Sequence, residues 1–271
     1  MDKNLRLLNA SGFAFQLAVE AAVKANPGHL DWRVVGREHP WKSAAASGYT
    51  DLILTCGNLY VVVECKRTRD ATWMFLMPSS AQLSRSHAKV AWINTKPHEK
   101  SLVGWGDIQV HARSPETDFC AVRGQGEGDT PMLERIAAQV VAAADGLCAD
   151  LIELHERAWA SKVVIPVIVT NAELVVAQFD PETVDLELAE VQDATFTPVP
   201  HVRFRKTLAP AAADPFSEPE ELRDLSDGAV RTVFVVAASA FTEWLDQLQI
   251  SPDDSRGPWT SARSRADAMR G

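Results

Sequence analysis

Twelve residues separate Asp51 from Glu64, and Lys66 follows Glu64 after one more. Between the two carboxylates lie two apolar runs, Leu52–Cys56 and Leu59–Val63, joined by Gly57-Asn58. A two-residue Gly-Asn link between apolar runs is a tight hairpin signal. With those two residues as the turn, Cys56 pairs with Leu59, and the pairing runs back until Asp51 lies opposite Glu64. Strand side chains alternate with period two, so Asp51, Ile53 and Thr55 share a face with Tyr60, Val62, Glu64 and Lys66. The other face is wholly apolar and belongs on a core. Directly opposite side chains sit about 5 Å apart at Cβ. Two carboxylates that close repel each other and need a compensating cation. Lys66 supplies one positive charge, and a hard divalent metal supplies the rest. Mg²⁺, for which Mn²⁺ can substitute, suits one or two carboxylates completed by water and phosphate. Such a set can hydrolyse a phosphodiester: the metal polarises the phosphate, helps form hydroxide and neutralises the transition state. Lys66 would orient the attacking water, stabilise the developing charge or, losing its proton more easily beside a metal, act as a base.

An E-x-K triplet alone is a weak signal, because Asp51 could simply start a strand and Glu64 with Lys66 could form a solvated face. Here the triplet is the only D/E-x-K in the chain, it closes an apolar run, and it has an aspartate in register across the turn. Those features favour chemistry over a bland surface.

Gly48-Tyr49-Thr50-Asp51 followed by Glu64-Cys65-Lys66 resembles the PD-(D/E)XK superfamily of restriction-endonuclease-like nucleases. The resemblance covers residues 1–95, and Thr50 stands where the name-giving proline would. It implies an α/β fold with a restriction-endonuclease-like mixed sheet flanked by helices, here with a C-terminal α/β extension. It also implies Asp51, Glu64 and Lys66 as catalytic residues. The metal would be held by Asp51, Glu64 and the carbonyl of Cys65, with Glu20 on the first helix as a further ligand. Arg67 and Arg69 beyond the motif, and Gln82 and Arg85 with His87 on a following helix, would contact nucleic acid. The expected activity is metal-dependent cleavage of DNA, and by analogy alone the setting is restriction or anti-phage defence. The alternative is a non-catalytic nucleic-acid-binding or scaffold subunit that keeps the fold. Use of the same site on RNA or a nucleotide is a third reading.

The elements that must position these residues follow from patterning. Residues 5–25 read as a helix weakened at Ser11-Gly12, and residues 32–38 as a strand. Residues 73–77 and 90–93 suit short strands, with a helix over 79–88 between them. Residues 118–123 suit a strand, and 124–128 a Gly-rich loop. Residues 131–159 form a long Ala-rich helix whose apolar face suits core packing or a subunit contact, so a homodimer is one expectation. Residues 162–170 and 173–179 read as a second hairpin about Asn171-Ala172. Strands are expected at 186–191, 202–206 and 230–237, a loop at 208–228 and a helix at 241–248. The domain reading is a nuclease-like core over 1–130, an extension over 131–250 packed on it, and a mobile tail over 251–271. Arg203, Arg205 and Lys206 make a basic stripe, best read as offsetting the acidic loop 214–227. Trp73, Trp92, Trp105, Trp159 and Trp244 are expected as core anchors.

The chain has 271 residues, 46% of them hydrophobic, which is enough for a sizeable core. Its net charge of −9 argues against gripping DNA by bulk charge and leaves room for a partner protein that aids DNA binding or activation. Four cysteines without CxxC or Cys/His spacing argue against a zinc site and fit reduced thiols. No leader or membrane-spanning run is expected, so the expected address is cytoplasmic.

Overall fold

The apolar runs around Gly57-Asn58 form the hairpin that their composition dictates. In the computed structural model, β2 (Ser47–Cys56) and β3 (Leu59–Lys66) pair antiparallel from Cys56 with Leu59 back to Leu52 with Val63. The structure describes residues 2–26, 28, 31–42, 47–68, 72–122, 131–208 and 222–250, with the side chains of 222–225 left aside. The Gly-rich loop 124–128, Arg69, the tail 251–271 and most of the loop 208–228 therefore lie outside the described residues.

The architecture is α/β, with a mixed and mostly antiparallel main sheet covered by helices. Helices α1 (Lys3–Ala10) and α2 (Phe13–Ala25) replace the single expected helix, because Gly12 takes a φ of 79° between them. Strand β1 (Arg33–Lys42) pairs with β2 and forms one end of the main sheet. Strands β4 (Thr72–Pro78), β5 (Arg85–Thr95), β6 (Leu102–Ser114), β7 (Glu116–Thr117) and β8 (Phe119–Val122) follow. Next come α3 (Met132–Leu154), β9 (Ala160–Thr170), β10 (Glu173–Phe179), β11 (Thr195–Pro198) and β12 (His201–Thr207). The described chain ends with α4 (Leu222–Ala229), β13 (Val230–Ala237), α5 (Phe241–Gln247) and β14 (Gln249–Ile250).

The main sheet runs β1-β2-β3-β9-β13-β12-β7, with β5 joining beside β9, β6 beside β5 and β14 beside β6. A smaller sheet runs β11-β10-β4-β8. Strand β9, buried from Val163 to Thr170, lies parallel to β3 along one edge. Its other edge is shared: residues 160–164 meet β5 and residues 167–170 meet β13. Pro166 sits at that changeover, where a residue without an N–H is least costly to the ladder. One face of the main sheet packs against α3 and the small sheet, through Ile53, Val62, Ile168 and Val235 against Val140, Ala144, Trp73 and Phe75. The other face carries Leu54, Val61, Val63 and Val167 against Val19 and Val23 of α2 and Trp244 of α5.

Several expectations are corrected. Residues 79–84 are a turn followed by irregular chain, and Arg85 to Thr95 form a strand in place of the expected helix. The reason is a period-two pattern: Ala88 and Val90 are buried while their polar neighbours are not. Strands β9 and β10 exist but do not form a hairpin, because both edges of β9 are occupied and the chain crosses at Asn171-Ala172 into the small sheet. Residues 186–191 form turns closed by the bridge Asp185–Glu190, leaving Leu186 exposed. Helix α4 occupies 222–229, within the expected loop. Strand β6 was not anticipated. Gly104 is required by close approach, because a Cβ there would lie 2.9 Å from the Trp92 ring. Of the two uses expected for the apolar face of α3, the structure shows core packing. The boundary at 130/131 falls inside the main sheet, because β9, β13 and β12 continue it from β3. Trp159 is 72% exposed with Lys96 over its ring, while Trp73, Trp92 and Trp244 are buried as expected. The cysteines are free thiols. Among the described residues no helix is long and apolar enough to cross a membrane.

Candidate active site

Asp51 stands one residue beyond the last pair of the β2–β3 ladder, Leu52 with Val63, so it falls opposite Glu64. Its Oδ2 accepts the backbone N–H of Cys65 at 2.6 Å, taking the place of the next strand hydrogen bond. Thr50 Oγ1 donates to the carbonyl of Val63 at 3.2 Å and ties down the same strand end. On its far edge, β3 sets Glu64 beside Ile168 and Lys66 beside Thr170 of β9. The Glu-x-Lys segment is thus held from both sides, which fixes its side chains more closely than a loop would.

A cleft of about 380 Å³ opens over this strand end. Asp51, Glu64, Cys65, Lys66 and Arg67 line one wall, and the α1–α2 corner with Gln16 lines the other. The three residues of the expected catalytic set therefore converge in one place, with Arg67 beside them. Glu64 makes no hydrogen bond or ion pair to any described residue. Burial, then the neighbouring Asp51 charge, push its pKa up to about 7 against the pull of Lys66. Burial raises Asp51 as well, opposed by the Cys65 N–H and Lys66 and reinforced by Glu38. Both shifts report one physical condition, two half-buried carboxylates side by side with a single lysine to balance them.

That condition is the test of fit for a divalent cation. The donors are oxygens, Asp51 Oδ1 has no hydrogen-bond partner among the described residues, and Glu64 has none at either oxygen. A hard cation accepts such a pair and completes its shell with water and substrate. Among the described residues no three or more His, Cys, Asp or Glu side chains are grouped to hold a metal. The site thus offers a carboxylate pair, the arrangement Mg²⁺ tolerates, and no closed cage.

Glu20 is not part of it. Its side chain, 4% exposed, is held by Lys24 at 2.6 Å and by Arg37, whose Nε donates at 2.7 Å. Burial opposes ionisation there, but the two cations win and hold its carboxyl below the usual range. The expected fourth ligand is instead a buried acid neutralised by its neighbours. Gln82 lies exposed in the irregular segment before β5, and Arg85 starts β5 opposite Ser114, close enough to Glu116 to favour its charged form. Neither lines the cleft. The basic stripe on β12 is consumed inside the molecule. Arg203 is fully buried and donates to Ser114 Oγ and to the carbonyls of Val110 and Ala112. Arg205 pairs with Asp107, and Lys206 pairs with Glu134. Most of the acidic loop 214–227 expected to offset the stripe lies outside the described residues, and Asp227 within it adds a weaker pull on Arg205.

Two residues at the site were missed in the sequence. Glu38 falls opposite Asp51, because Arg37 pairs with Leu52 and His39 with Thr50. Gln16, on α2, donates from Nε2 to Glu38 Oε1 at 2.6 Å and to the carbonyl of Asp51 at 3.0 Å. A polar residue one helical turn before Glu20 was the available signal for Gln16. Glu38 carried none, since Arg33–Lys42 shows no clean alternation and the β1 register shifts between Val34 and Gly36.

Comparison with known proteins finds no matching family model, no matching curated protein and no matching solved structure.

Proposed function

We propose that the protein is a Mg²⁺-dependent nuclease of the PD-(D/E)XK type that hydrolyses phosphodiester bonds in DNA. The observation that carries the reading is the convergence of Asp51, Glu64 and Lys66 in one cleft, with Glu64 unpartnered among the described residues and its pKa pushed up to about 7. The mixed sheet flanked by helices is compatible with that type. Asp51 and Glu64 would hold the metal, with the Cys65 carbonyl between them in sequence. When bound, Mg²⁺ polarises the phosphate and eases ionisation of water. Lys66 orients the attacking water and offsets the negative charge that builds on the phosphate. Arg67, on the same wall, contacts a neighbouring phosphate. Restriction or anti-phage defence is the setting we propose, by analogy with stand-alone nucleases of that type.

A second reading, a binding or scaffold subunit without catalysis, is favoured by the net charge of −9. One experiment separates the two. Purified protein is incubated with plasmid and single-stranded DNA in Mg²⁺, Mn²⁺ or EDTA, beside Asp51→Ala and Lys66→Ala. Metal-dependent cutting that both substitutions lower by at least about a hundredfold is expected. Cutting that survives both substitutions would sink the site. DNA binding without cutting by any form would support the scaffold.

A further inference from the structure

Gln16 is buried, 9% exposed, in a helix whose other buried residues are Val19, Glu20 and Val23. A buried amide must find partners, and this one finds two on different strands with a single nitrogen: Glu38 Oε1 on β1 and the Asp51 carbonyl on β2. Glu38 is an exposed residue at a left-handed φ of 45°. Left alone, an exposed glutamate side chain would sample solvent freely. The Gln16 amide removes that freedom and keeps the carboxylate beside the cleft. By strand register Glu38, Asp51 and Glu64 stand at one level on three consecutive strands. No described lysine or arginine forms an ion pair with Glu38. Its charge instead acts on Asp51, Glu64 and Cys65.

In a metal-free cleft this arrangement is unfavourable, since it adds a third negative charge to two that already repel. It becomes favourable once a divalent cation is present, because each nearby negative charge then attracts. The described residues hold no three-carboxylate cage, so Glu38 acts from outside the ligand pair. We propose that Gln16 is a positioning residue of the cleft: its amide holds the Glu38 carboxylate behind Asp51, and that third charge raises the affinity of the cleft for a divalent cation. The inference rests on the reading of Asp51 and Glu64 as the carboxylates that hold the cation.

The test is Mn²⁺ binding to the full chain without nucleic acid, followed by electron paramagnetic resonance. Asp51→Ala is expected to lose binding. Glu38→Gln and Gln16→Leu are each expected to weaken it roughly tenfold, as outer-shell changes do. The double variant weakens it no further than either alone, because Gln16 acts through Glu38. The loss shrinks as ionic strength rises, which a merely structural role for Gln16 would not produce. Glu38→Gln leaves Gln16 in place, so it tests the charge even where Gln16→Leu fails to fold. Unchanged affinity in Glu38→Gln, or additive losses in the double variant, overturns the inference while leaving the metal site intact. Wild-type affinity in Asp51→Ala overturns the metal reading itself.

Discussion

Gln16 and Glu20 lie one turn apart on the same face of α2, yet they serve different ends. Glu20 meets Lys24 and Arg37 and becomes part of the fold, while Gln16 reaches the strand ends that line the cleft. The difference comes from what the neighbouring strand presents: Arg37 faces Glu20, and Glu38, the next residue, faces Gln16. His201 shows the same dependence on surroundings. It starts β12, buried, with Nε2 unpartnered among the described residues. Burial, aided by the Arg203 charge and opposed by a backbone hydrogen bond to Arg113, pushes its pKa down to about 4 from an ordinary 6.5. The sign follows from linkage. Above the unfolded value both states are neutral and the stability is whole. As pH falls from 6.5 toward 4, the unfolded chain takes up a proton that the folded one refuses, and stability is lost. Between about pH 7 and pH 5 the loss is about 2 kcal/mol. Urea unfolding at both pH values should show wild type losing that much more than His201→Gln. Equal losses would mean that His201 is not held neutral.

At the scale of elements, α3 is fixed by how closely it can approach β1. Gly146 is buried in mid-helix, and a Cβ there would lie 2.8 Å from Trp41 Cβ and 3.6 Å from its Cα. In an open helix Gly→Ala stabilises by about 1 kcal/mol. Here the obstacle lies at the root of a side chain, not at its flexible end, so helix and strand must separate at a cost of about 1–3 kcal/mol. The clash wins, and Gly146→Ala should lower Tm by a few degrees in a thermal melt. A higher Tm would show that helix and strand are not in that contact. The same packing spends the helix's apolar face on Trp41, Trp73 and the main sheet.

At the scale of the whole molecule, the candidate site depends on residues far along the chain. Strand β3, which carries Glu64 and Lys66, has β2 on one edge and β9 on the other, and β9 begins only at Ala160. A fragment of residues 1–130 would leave one edge of β3 unpaired and expose Ile53, Val62, Trp73 and Phe75, which α3 and β9 otherwise cover. We expect that fragment to aggregate or to lack near-ultraviolet circular dichroism, even though it contains the whole motif. A folded fragment with native-like metal binding would show that the C-terminal half is an addition and not a part of the sheet.

What the sequence determined by itself is short-range. Gly57-Asn58 between aliphatic runs sets the hairpin, its register and the opposition of Asp51 to Glu64, because a two-residue turn admits one pairing. The Ala-rich period of α3 and the aliphatic runs of β9 and β13 were legible for the same local reason. Tertiary structure alone decided which strands became neighbours. Strand β9 is apolar on both faces, so its sequence carries no alternation from which to read a partner, and it pairs with three strands, none of them β10. Glu38 came to stand beside Asp51, and Glu20 stayed outside the cleft, through contacts among α2, β1 and β2. Those contacts link residues 17 and 22 positions apart, beyond the reach of helix or strand periodicity.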